Sequence, residues 1–313
     1  MTERAVLFGP GRPLVGVLTE AADPVAAGRP AVLFLNAGLL HHVGPNRIYV
    51  KIARCLAQNG FHSLRFDLSG IGDSRVRTEA LSLEERVLDD VAQAMTYLNR
   101  AKGTNAFILI GHCAGAFISY GVAARDPRVV GVVMINAEGG DEQWKDYDRK
   151  RKTSRYYENY YGRGVLANPE KWKKLLTGRA DYGSIFRNVF QNILWNKISA
   201  GVFKVKAALF GAKRTTQRRE LANIGAGMRE LAERGTRLLI LYSQGSSGLE
   251  RTRLLIRNEM QELNASGRVQ LEVVAQADHT FTLLAGQQNL VQAVAEWIRV
   301  FVPDAASVDI HSG

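Results

Sequence analysis

Short, almost wholly apolar runs constrain this chain more than any other feature. Ala31–Leu35, Ala106–Ile110, Val129–Ile135 and Leu238–Tyr242 are each too short for a buried helix and carry no polar alternate. A strand reads this way only when both of its faces are buried. Segments of helical period separate the runs. Residues 83–99 place Val87, Val91, Ala94, Met95 and Leu98 on one stripe, and residues 46–59 stop at Gly60. Further strands are expected at 14–18, 63–67 and 269–275, and further helices at about 113–124, 217–234, 250–264 and 288–301. Strand and helix alternate, which implies an α/β fold with a mostly parallel central sheet and helices on both faces.

One segment breaks the alternation. Residues 143–216 read as mixed helix and loop and divide the chain into a first core part (1–142), an inserted cap (143–216) and a second core part (217–313). The net charge of +11 is concentrated there. Residues 145–220 hold 19 Lys and Arg against 6 Asp and Glu, a balance of +13, which leaves 22 against 24 elsewhere. Tyr156, Tyr157, Tyr160, Tyr161, Trp172 and Trp195 lie among these basic residues. The pattern reads as a solvated basic surface over a small aromatic core, or as a docking face for an acidic partner. Basic and aromatic residues alone do not specify nucleic acid, and no nucleic-acid-binding module is recognisable.

The chemistry is carried by Gly111-His112-Cys113-Ala114-Gly115, which follows one apolar strand and opens one helix. This G-x-C-x-G pattern has the strand–turn–helix setting of a nucleophile elbow, with Cys113 lifted out of the sheet. A helix N-terminus also favours a thiolate. His279, in the loop between the last strand and the last helix, is expected as the general base. Its neighbour Asp278 reads as structural. The loop after the first buried strand, Asn36-Ala37-Gly38-Leu39-Leu40-His41-His42, is expected to supply one oxyanion N–H, assigned to Leu39 ahead of Gly38. Ala114 supplies the other. His41 and His42 either touch substrate or hydrogen-bond within the loop. An orienting acid is expected after the strand 238–242, but Ser246 stands at that place, and Glu250 is the first carboxylate available. Glu138, Asp141 or Asn136 after the preceding strand are alternatives. A thiol ionises beside an imidazole more readily than a hydroxyl does, so a Cys–His pair needs the third member less.

These residues resemble the α/β-hydrolase superfamily. The resemblance rests on Arg65-Phe66-Asp67-Leu68-Ser69-Gly70-Ile71-Gly72-Asp73-Ser74, on the elbow and on Ala277-Asp278-His279-Thr280-Phe281. Among such proteins the chain looks like the exosortase-associated and biosynthetic-cluster hydrolases with Cys at the elbow. Val43-Gly44-Pro45-Asn46-Arg47 and Lys171-Trp172-Lys173-Lys174-Leu175-Leu176-Thr177-Gly178 add to that likeness, and Ser246 departs from the Asp usual there. Polyhydroxyalkanoate synthases are similar only in the elbow.

The resemblance implies an acyl ester or thioester substrate and an acyl-Cys113 intermediate. The reading is an acyltransferase, thioesterase or esterase without metal or cofactor, with an acyl carrier protein or coenzyme A as a partner for the basic cap. The alternative is a non-catalytic protein of the same fold that binds an acyl-type ligand or a protein partner. No run reaches the ~20 apolar residues of a membrane span, and the amino-terminal residues do not read as a signal peptide. With two cysteines and no disulfide framework, the expected compartment is the cytoplasm. Cys55 is expected in the core of the first helix.

Overall fold

A computed structural model of the chain describes residues 1–137 and 225–302, apart from residues 12, 23–27, 78, 80, 82 and 256. They belong to the compact unit made by Met1–Glu138 and Ala222–Gly313. The expected cap, 143–216, and the alternative acids Glu138 and Asp141 lie outside the described residues.

Eight strands form one sheet: β1 (Thr2–Phe8), β2 (Leu14–Glu20), β3 (Ala31–Leu35), β4 (Ser63–Phe66), β5 (Phe107–His112), β6 (Val129–Ile135), β7 (Arg237–Ser243) and β8 (Val269–Val274). Their order is β1-β2-β4-β3-β5-β6-β7-β8. β2 pairs antiparallel with both β1 and β4, and every pairing from β4 through β3 to β8 is parallel. The described helices are α1 (Ile48–Gln58), α2 (Leu83–Lys102), α3 (Ala114–Arg125), α4 (225–233), α5 (Ser247–Leu255), α6 (Arg257–Ala265) and α7 (Leu284–Trp297).

The period of two along each strand explains why the central runs are apolar throughout. Phe34, Ile110, Val133 and Leu241 face α1 and α7, where they meet Ile48, Tyr49, Ile52, Leu290 and Val294. Their neighbours Leu33, Leu109, Val132 and Ile240 face the other way, onto Val91, Met95, Ala116 and Met228. Helices α1 and α2 present these contacts at i, i+3 and i+4, as an amphipathic stripe must. Glu84 and Glu85 open α2, and Arg100 and Lys102 close it, in agreement with its dipole.

Two expectations need correction, and one strand, β1, was not expected. The amino-terminal residues form strand β1, although their charges give no apolar run. β1 is an edge strand, where polar and charged alternates are tolerated. Its Glu3 carboxylate also pairs with Arg54 (2.6 Å) and the buried Arg65 (2.9 Å). The helix expected at 250–264 is two helices, α5 and α6. Cys55 is half-buried rather than in the core, and burial pushes its thiol up.

Candidate active site

The parallel strands deliver their loops to one edge of the sheet. The six described non-glycine residues with positive φ are Asn46, Arg47, Cys113, Asn136, Gln276 and Phe281. All lie in the loops that follow β3, β5, β6 and β8, along that edge.

Cys113 has φ 56° and ψ −115°, between the end of β5 and the first residue of α3. Two glycines make this conformation reachable. A Cβ on Gly111 would sit 2.0 Å from the carbonyl oxygen of Gly115. One on Gly115 would sit 2.7 Å from the carbonyl oxygens of Leu35 and Asn36, so β3 and its loop lie against the elbow. Below the turn, the wholly buried Tyr49 donates to the carbonyl of Leu35 (2.9 Å), and its hydroxyl oxygen accepts from the N–H of His112 (2.8 Å). One side chain of α1 thus ties the ends of β3 and β5 together. Burial pushes the Tyr49 phenol up, and the neighbouring Cys113 adds to the rise. The N–H of Cys113 donates to Ile135 on β6 (2.9 Å).

The loop after β3 is fastened by Asp67, which has no solvent exposure. Its Oδ1 accepts from the Asn36 amide (2.8 Å) and the His42 N–H (2.7 Å). Its Oδ2 accepts from His42 Nδ1 (2.8 Å) and the Asp73 N–H (3.2 Å). Burial alone would raise its pKa, but the bonds from His42, Asn36 and Asp73 outweigh it and hold the carboxyl below its usual value. Asn36 also donates to the carbonyl of Leu40 (2.9 Å). These bonds set the turn that carries Gly38, at φ 64°, and Leu39, whose side chain is 88% exposed. Ala114 is exposed at the first turn of α3, where helix N–H groups are unpaired within the helix.

Of the two histidines expected near substrate, His42 is buried and turned into the loop. His41 is half-exposed, with Nε2 3.1 Å from Asp73. Ligand atoms of His41, His42, Asp67 and Asp73 lie within 4.8 Å of one another. Four donors already fill the lone pairs of Asp67, so the chemistry of this set fits a hydrogen-bonded staple rather than a metal cradle.

His279 follows β8. Its carbonyl accepts from His112 Nε2 (2.7 Å) and from the Asn136 amide (2.9 Å), and its ring centroid is 4.9 Å from that of His112. The general-base candidate is therefore anchored to the residue that precedes Cys113. Asp278 is structural, as its position implied: its carboxylate accepts from the N–H groups of Thr280 (3.2 Å) and Thr282 (2.9 Å). After β7, Ser246 is buried and accepts from the N–H of Gly248 (3.1 Å). Glu250 is exposed in the first turn of α5.

A family model described as serine aminopeptidase, S33, matches residues 29–155, less than half of the chain. The chain is similar over 95–96% of its length to solved structures of this architecture. One is a proline iminopeptidase from Mycobacterium smegmatis, with a TM-score of 0.54 at 14% identity, covering 96% of this chain and 98% of that one. Another, reported among the carboxylesterases of the archaeon Nitrososphaera gargenis, has a TM-score of 0.52 at 18% identity and covers 95% and 98%. The chain has the fold of the α/β-hydrolase superfamily.

Within this fold, Cys113 stands at the elbow and His279 in the loop after the last strand. A curated relative, Esterase EstD of Thermotoga maritima, is 31% identical over 93 residues, which are 30% of this chain. The match spans 22% of that esterase's length. Among the described residues, no helix is long and apolar enough to cross a membrane.

Asp67 gives a test of how the hydrolase-fold site is held. Its folded pKa lies below the unfolded value of about 3.9, so the unfolded chain binds more protons in acid. The stabilisation is complete above roughly pH 4 and is lost as the pH falls through the lower folded value. Asp67→Asn is expected to cost about 1–3 kcal/mol near neutral pH, because its amide hydrogens face donors. Urea denaturation against pH should show a smaller loss of stability below about pH 4 in the variant than in the wild type. Parallel acid profiles would contradict this role.

Proposed function

We propose that the chain is an acyl-transfer enzyme of the hydrolase fold working through an acyl-Cys113 intermediate. The observation that carries this is the strained elbow conformation of Cys113, with the His279 loop tied to its neighbour. His279 takes the thiol proton of Cys113, and the thiolate forms a bond to the carbonyl carbon of an ester or thioester. The carbonyl π pair moves onto the oxygen, which the N–H groups of Leu39 and Ala114 hold. Collapse breaks the C–O or C–S bond, and the leaving alkoxide or thiolate takes a proton from His279. The acceptor then loses its proton to His279 as it attacks, the acyl–sulfur bond breaks, and Cys113 is restored. An amine or thiol acceptor gives an acyltransferase, and water gives a thioesterase or esterase. We favour the transferase, because a thioester intermediate reacts well with amines and thiols. The sequence needs no cofactor.

His41 is the histidine we assign to substrate, since its ring is half-exposed beside the oxyanion loop. Glu250 is our candidate for the acid, in a subordinate role. Its exposure and the buried Ser246 at the usual place support a Cys–His pair that is largely self-sufficient. That same serine favours the second reading, a non-catalytic protein that binds an acyl-type ligand. Neither Cys55 nor Cys113 is in a disulfide, which suits a reducing compartment, and we place the protein in the cytoplasm.

Steady-state kinetics on an activated thioester test the assignment. Cys113→Ala should abolish turnover, and His279→Ala should lower the rate by on the order of 10²-fold or more. Glu250→Gln should lose much less. A loss at Glu250 equal to that at His279 would mean a full triad, and wild-type turnover from Cys113→Ala would remove the nucleophile.

The basic excess of 145–220 supports an acyl carrier protein or coenzyme A as acyl donor. Its attraction is screened over the ~8–10 Å Debye length at moderate salt. Raising salt should therefore lower kcat/KM for the carrier-bound or coenzyme-A-bound acyl group and barely change it for a small neutral thioester of the same acyl group. Equal salt responses would exclude the charged donor.

A further inference from the structure

The main-chain carbonyl of His279 receives two side-chain donors, and neither comes from its own loop. His112 Nε2 approaches it at 2.7 Å and the Asn136 amide at 2.9 Å. A carbonyl only accepts, so Nε2 of His112 must carry the proton. The Asn136 amide is oriented equally firmly. Its Oδ1 accepts from the N–H of Ser243 at the end of β7 (2.7 Å), which turns the NH2 toward His279. Its own N–H donates to Leu241 (2.7 Å). Asn136 is wholly buried at φ 45°, a left-handed conformation that Asn tolerates better than most residues. His112 is 2% exposed, and its main-chain N–H donates to the hydroxyl oxygen of Tyr49.

We infer that His112 and Asn136 are positioning residues that form a clamp on the His279 carbonyl and set the imidazole against Cys113. The inference rests on reading His279 as the base that serves Cys113. β8 is the other edge strand, three places from β5 in the sheet, so the loop that carries His279 must reach back across the ends of β7 and β6. Gln276 and Phe281, on either side of His279, have φ of 55° and 57°, and such a loop needs external bonds to hold one conformation. The clamp supplies them from the ends of β5 and β6. The His112 ring does more than donate. It lies 4.9 Å from the His279 ring at 57° and 6.1 Å from Phe281 at 71°, which limits rotation of the imidazole. Asn136 thus serves the base through its main chain, not by accepting from the ring.

The test reads the Cys113–His279 pair without a substrate. The rate of Cys113 alkylation by iodoacetamide is followed against pH by peptide mass spectrometry, which separates Cys113 from Cys55. A thiol paired with an imidazole stays reactive at a pH below the ordinary thiol range. His279→Ala should move the midpoint of the profile up toward that of a free thiol. His112→Phe keeps an aromatic ring but loses the donor. Asn136→Asp keeps the acceptor for Ser243 but sets a carboxylate oxygen against the carbonyl. Both are expected to move the midpoint the same way, and to lower kcat on an activated thioester about tenfold or more with KM within about twofold. His112→Gln returns an amide donor and should recover most of the wild-type profile. Thermal melts identify variants that fail to fold. If one does, the comparison of His112→Gln with the remaining donor-deficient variant decides the question.

If His279→Ala shifts the midpoint while His112→Phe and Asn136→Asp keep the wild-type profile, the clamp is merely structural and the inference is overturned. If His279→Ala itself leaves the midpoint unchanged, the Cys–His reading fails and the clamp falls with it.

Discussion

The close approach of Gly111 to Gly115 is the constraint on which the site depends. With no Cβ at either position, β5 can turn into α3 within a single residue, and that residue is Cys113 at φ 56°. Any side chain at Gly111 would meet the main chain of Gly115 and Ala116. The turn could then close only by moving α3 away from the sheet. Keeping α3 close preserves the packing of Ala116, Val122 and Ala123 on the core.

Two buried polar networks extend that constraint outward. Tyr49 joins β3 to β5 beneath the elbow, and Asp67 fastens the loop after β3. Neither network is a surface ion pair, so their partners are not screened by solvent and an unmet bond is costly. The result is an edge of the sheet on which three loops from distant parts of the sequence are held by side chains rather than by helices or strands.

Much of this was legible in the sequence, for identifiable reasons. The apolar runs marked β3, β5, β6 and β7 because strands buried on both faces leave no polar alternate. The elbow was legible because its glycines are steric necessities, and Asp278 because its position beside His279 leaves it facing away. β1 was missed because Glu3 and Arg4 have cross-strand and cross-element partners that no local pattern reveals. The role of Asn136 was only half visible. Its place after β6 pointed to His279, but whether an amide meets the ring or the main chain depends on the path of a loop some 140 residues later. Tyr49 gave no polar signal at all, since a tyrosine on the apolar face of a helix reads as core until the one acceptor and the one donor beside its hydroxyl are known. His42 was ambiguous for a similar reason, and only the burial of Asp67 shows what it binds.

The central claim is that Cys113 is a working nucleophile and not a small residue left in an unused elbow. The most direct measurement is the intact mass of the protein, acid-quenched within seconds of mixing with an activated acyl thioester, followed by peptide mapping. The account predicts a mass increase of one acyl group, located on the peptide that contains Cys113, in the wild type and none in Cys113→Ala. An adduct that persists in Cys113→Ala, or its absence from the wild type while the thioester is consumed, would contradict it.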